Sequence, residues 1–164
     1  MPRMTARGEL PLAGKLTVRA GSRKLVLAKR AWESERHVLL KALVFGLYVG
    51  RYPDLAVERR IGHRYTPDLI ALGPDDGPVF WGECGETGRE KLAHLVRAFP
   101  ATHLVLAKQV ASLVPYEAMV RASLVRARRR APVELLNLPA NATRFIGDDG
   151  EITIGVGDVA LVRF

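Results

Sequence analysis

The sequence predicts a single mixed α/β domain, a mixed β-sheet with helices packed on its faces. Three observations carry this. Two strand-like segments, the first of them long, flank a Gly/Pro-bounded turn at 73–78, and segments of helical periodicity lie on both sides of that hairpin. A further short apolar run, HLVLAK at 103–108, follows the second helical segment. The resulting order of helix, two antiparallel strands, helix and strand suits a sheet covered by helices.

Taken along the chain, KLTVRA and RKLVLA around Gly21 and Ser22 read as a hairpin. Ser34 is a candidate N-cap for a helix running to about Gly50, with Val38, Leu39, Ala42, Leu43, Phe45 and Leu47 on a broad apolar face. ERRIGHRYTPDLIALG reads as a long strand and VFWGECG as its partner. Thr87 followed by Glu90 has capping-box spacing, which starts a helix that ends before Pro100. Residues 115–130 read as helix, VELLNLP as extended, and GEITIGVGDVALVRF as one or two strands.

Length and composition bound the rest. The chain has 164 residues, 48% hydrophobic and 26% charged, enough for one sizeable core over 1–164, with 1–14 read as a flexible basic arm. One cysteine, Cys84, excludes an intramolecular disulfide and leads to the expectation of a cytoplasmic protein. No apolar stretch is long enough to span a bilayer, so no membrane partner is expected. The net charge of +8 points to an anionic partner, nucleic acid being the commonest. Nineteen of the 25 basic residues are arginine, partly explicable by composition, but Arg126, Arg128, Arg129 and Arg130 are packed together and are candidate phosphate contacts.

The acids of YTPDLIALGPDDGPVFWGEC are the main chemical signal. A hairpin centred between Asp75 and Asp76 pairs residues whose numbers sum to 151, so Ile70 faces Trp81, Leu72 faces Val79 and Asp68 faces Glu83. Opposed like charges beside apolar strands need an offset. A shared proton, a neighbouring Arg or Lys such as Arg64 or Arg89, or a divalent cation would each supply it. Mg²⁺ or Mn²⁺ fits the donor type, because such ions take one or two carboxylates and share the remaining coordination with water and phosphate. Cys84 as a nucleophile lacks a base tied to it by spacing, and the glycines at 82, 85 and 88 match no phosphate-loop pattern.

Pro67-Asp68, the hairpin, and Glu83-Cys84-Gly85 after an apolar run resemble the PD-(D/E)XK, or restriction-endonuclease-like, nuclease superfamily. WESERHVLLKALVFGLY, ECGETGREK and LLNLPANAT resemble more narrowly the YaeQ family of small bacterial proteins assigned to it. The resemblance implies a divalent-metal-dependent nuclease, or a nuclease-fold protein that has lost catalysis and kept binding to nucleic acid or to a protein. It implies Asp68 and Glu83 as metal ligands, Cys84 at the position whose backbone carbonyl often ligates, and an acid on the first core helix, Glu35 ahead of Glu33. Gly85 stands where the motif lysine belongs, and Lys91 is the expected substitute, with Glu86 a conditional further member of the site.

Overall fold

The computed structural model describes residues 14–164; the basic arm expected at the N-terminus lies outside them except for Gly14. Strands β1 (Gly14–Ala20) and β2 (Arg23–Lys29) form the expected hairpin, turning at Gly21, which adopts φ 56°. Ser34 caps α1 (Glu35–Tyr48), its hydroxyl accepting from the His37 backbone N–H at 3.1 Å.

After α1 the chain builds a six-stranded sheet in the order β3 (Ala56–Val57), β4 (Leu69–Leu72), β5 (Pro78–Cys84), β6 (His103–Lys108), β7 (Val133–Asn137) and β8 (Ala160–Arg163). β3, β4 and β5 run antiparallel, β5, β6 and β7 parallel, and β8 returns antiparallel to β7. Two helices provide the parallel crossovers, α2 (Arg89–Ala98) and α3 (Val114–Leu124). Both faces of the sheet are covered. One packs against α1 and the β1/β2 hairpin through Val38, Phe45, Leu69, Phe80 and Val105; the other packs against α2 and α3 through Ile70, Trp81, Leu92, Leu104 and Val120.

Four expectations need correction. The 58–73 segment is strand only at its end, because Gly62 turns at φ 73° and Pro67 lacks the N–H a ladder needs. The hairpin keeps the sum of 151 at Ile70–Trp81 and Ala71–Phe80, but a register shift after Ala71 sets Leu72 opposite Pro78 and not Val79. The α2 N-cap is Gly88 without a side-chain cap; the Thr87 hydroxyl is buried with no partner, so no capping box forms with Glu90. Finally α3 stops at Leu124, and residues 126–130 cross in a loop toward the start of β7.

Candidate functional site

The site lies where β5 and β6 end, because parallel strands bring their C-termini to one edge and the helix preceding them, α1, starts there. Ligands of open α/β sheets bind at this edge. Asp68 stands one residue before β4, its backbone N–H donating to the Gly82 carbonyl at 3.1 Å. Its Oδ2 accepts from the Cys84 backbone N–H at 2.8 Å, and its Oδ1 lies 3.1 Å from His37 Nε2 on α1. That contact is the largest influence on His37 and raises its pKa despite the opposing effect of burial.

Glu83 is buried on the other side, among α2 residues. Its Oε1 accepts from Trp81 Nε1 and its Oε2 from Lys91 Nζ, both at 2.8 Å. Burial pushes the Glu83 carboxyl up, Lys91 and Trp81 pull it down, and Asp68 adds to the upward push. Asp68 thus adds to the charge that Glu83 meets, but each carboxylate is drawn to a different helix, and the β4–β5 ladder begins at Leu69–Gly82, so the expected facing of Asp68 and Glu83 is not one of its pairs. Their repulsion is offset by His37 and Lys91. Lys91 does reach back to Glu83; Arg64 pairs instead with Glu90, at 3.4 Å.

Around His37 the charges continue inward. Its Nδ1 lies 2.7 Å from Glu33, which is buried and also holds Lys41 Nζ; Lys41 reaches Glu58 at 2.6 Å. Burial opposes the charge on Lys41, and the hydrogen bonds to Glu33 and Glu58 outweigh it, raising its pKa. The helix acid joined to Asp68 through His37 is thus Glu33. Glu35, the first choice from sequence, is a half-buried residue of the first helical turn, where its charge complements the helix N-terminus.

Gly85 explains its own identity. It sits at φ 82°, a conformation that strains any L side chain, so a lysine is disfavoured there. Directly beside it on β6 stands Lys108, which sequence reasoning missed: the register sets Cys84 against Ala107, and the Gly85 N–H donates to the Ala107 carbonyl. Lys108 Nζ donates to the Gly85 carbonyl and lies 4.6 Å from the Tyr116 ring centroid. Burial lowers its pKa. The signal available in sequence was a lysine closing the strand HLVLAK after an apolar run from Leu104 to Ala107. A pocket of about 450 Å³ opens over it, lined among others by Trp32, Glu33, His37, Glu86 and Lys108. Cys84 also lines it, but its thiol is buried and its pKa pushed well up by that burial, the opposite of an activated nucleophile.

The arginines predicted to share a surface do not share a role. Arg126, Arg128 and Arg130 are exposed in the α3–β7 loop. Arg129 turns inward, donating to the carbonyls of Val96 at 2.9 Å, Phe99 at 3.0 Å and Thr102, which closes the C-terminal end of α2. This loop lies beside the starts of β6 and β7, at the edge of the sheet opposite Asp68 and Glu83.

Among the described residues no three His, Cys, Asp or Glu side chains converge to hold a metal. A cation caged wholly by such side chains is therefore not provided for. One that keeps most of its water and takes further oxygens from a phosphate needs only the donors present, Asp68 and Glu83. Among the described residues no helix is long and apolar enough to cross a membrane.

No family model matches the chain, and no curated protein matches it. Solved structures do. It is similar to a YaeQ protein from Pseudomonas syringae, with a TM-score of 0.57 at 19% identity over 85% of this chain and 76% of that one. It is likewise similar to the YaeQ protein from Xanthomonas axonopodis pv. citri, with a TM-score of 0.56 at 15% identity over 80% and 75%. At these identities what is shared is the fold.

Proposed function

We propose that this chain is a YaeQ-like protein with a restriction-endonuclease-like core and that it hydrolyses phosphodiester bonds with a divalent cation at Asp68 and Glu83. The observation that carries the reading is the coupled acid pair with a lysine on Glu83, at the sheet edge where α1 begins. The succession of α1, three antiparallel strands, α2 and a parallel strand also suits such a core.

In this reading Asp68 and Glu83 would hold Mg²⁺ or Mn²⁺, which when bound polarises the phosphoryl oxygens and acidifies a water. Trp81 fixes the Glu83 carboxylate through its indole N–H, and the Cys84 N–H fixes Asp68. Lys91, a quarter exposed, carries a positive charge beside Glu83 and supplies the stabilisation of developing negative charge that Gly85 cannot. The exposed Arg126, Arg128 and Arg130 are candidate phosphate contacts for a strand long enough to reach the opposite edge.

The test is an Mn²⁺-supported cleavage assay over single- and double-stranded DNA and RNA. Slow cleavage is expected, abolished by Asp68→Asn and reduced by Lys91→Ala on the order of 10²–10³. Cleavage unchanged in Asp68→Asn, or none at all, overturns the reading. A second reading, binding without catalysis, is favoured by one observation: each of the four oxygens of Asp68 and Glu83 already has a donor or imidazole partner from the protein.

A further inference from the structure

Lys108 is 1% exposed, yet among the described residues no carboxylate lies within ion-pair distance of it. An ammonium has three N–H donors, and the Gly85 carbonyl takes one. Lys108 lines the pocket, and besides that carbonyl its ammonium has the Tyr116 ring 4.6 Å away, so the donor left over calls for an acceptor from outside the chain. A buried cation in this state is costly to keep, and an oxyanion is what would complete it.

A second and independent feature lies on the same pocket. Trp32 is 74% exposed at the rim, the most exposed aromatic among the described residues whose exposure is high, and the Arg30 guanidinium sits 5.5 Å over its ring. A large apolar ring kept in water beside a pocket offers a flat face for stacking, and every nucleobase has a complementary π-face. Glu86, which also lines the pocket, disfavours a doubly charged terminal phosphate more than the single charge of a diester. A base within a duplex is not free to lie on Trp32, whereas an unpaired one is.

We propose that this pocket binds one nucleotide unit of a single-stranded nucleic acid, with the phosphodiester on Lys108 and the base stacked on Trp32. The inference deepens the nuclease reading and rests on it for the class of ligand, while its own support is the unpaired buried amine and the exposed ring.

The experiment titrates the full chain with a dye-labelled twelve-nucleotide single strand in EDTA, reading affinity from the anisotropy of the dye and stacking from tryptophan emission, beside the matching duplex and a mononucleotide. Trp81 is buried, so quenching reports Trp32. Single strand is expected to quench and to bind more tightly than duplex or mononucleotide. Trp32→Ala, at an exposed position that leaves folding intact, should remove the quench and weaken binding about tenfold. Lys108→Met should weaken it by a similar factor and lower the log–log salt slope by about 0.7, the share of one phosphate on a single strand. Absence of binding, equal binding of duplex, or unchanged affinity in Trp32→Ala overturns the proposal, as does unchanged affinity in a folded Lys108→Met. Strand binding that follows these expectations without Mn²⁺-supported cleavage sinks the nuclease reading and leaves the pocket standing. Cleavage that depends on Asp68 with both variants binding normally does the reverse.

Discussion

The two edges of the central sheet both bury charge, and they treat it differently. At the edge where β6 and β7 begin, the two terminal nitrogens of Arg129 go to three carbonyls while its Nε is enclosed without a partner, and His103 lies between Glu134 and the Tyr52 hydroxyl, 2.9 Å from its Nδ1. The His103 contact is also the main reason the Glu134 carboxyl is held below its usual range. At the edge where β5 and β6 end, Lys108 has one carbonyl, the Tyr116 ring and an open pocket. Buried charge alone is therefore no marker of a site. What distinguishes the two edges is hydrogen-bonding capacity left over beside a pocket.

Lys41 and Lys108 are each 1% exposed, but Lys41 is held by Glu33 and Glu58. Lys41→Met leaves two carboxylates without their cation and should cost about 3–5 kcal/mol in urea unfolding. Lys108→Met removes a cation that burial disfavours and should raise the thermal midpoint at pH 7 by a few degrees, corresponding to about 1 kcal/mol. The sign follows from the lowered pKa: the stability it carries is present above the unfolded lysine value and is lost as pH falls through the folded one. Equal losses in the two variants would erase the distinction between closed and open charge.

The arginine run offers a smaller contrast. Arg129→Ala should destabilise by about 2–4 kcal/mol, since three buried carbonyls lose a charged donor. Replacing Arg126, Arg128 and Arg130 together should cost under about 0.5 kcal/mol per site. Urea midpoints of the two variants decide it.

The smallest effect belongs to His37. Because Asp68 raises its pKa above the ordinary 6.5, the contact stabilises fully below that value and its contribution fades as pH rises through the raised one. Thermal midpoints measured from pH 6 to 9 should decline in the natural protein and decline less in His37→Asn. Glu83 is raised too, but from 4.5, and remains in both proteins.

Much of this was legible in the chain itself. The hairpin sum of 151 held from Leu69–Gly82 to Ala71–Phe80, and the Ser34 cap, Pro100 and the Gly/Pro turn marked the start of α1, the end of α2 and the hairpin loop, because local chemistry decides them. The pairing of Glu83 with Lys91 followed from a helix starting just after a strand. Lys108 and His37 were not legible as partners of the site. Parallel pairing of β5 with β6 sets Lys108 beside Gly85 across 23 residues of sequence, and α1 packing brings His37 to Asp68 across 31. The inward turn of Arg129 was hidden for the same reason: its acceptors are the carbonyls of another helix end.

The measurement closest to the central claim is a calorimetric titration of the full chain with Mn²⁺, beside Asp68→Asn and Lys91→Met. One weak site is expected, lost in Asp68→Asn. Binding should tighten in Lys91→Met, because the ammonium that competes for Glu83 has gone. A chain that takes up no Mn²⁺, or takes it up equally well without the Asp68 carboxylate, would contradict the assignment of this acid pair.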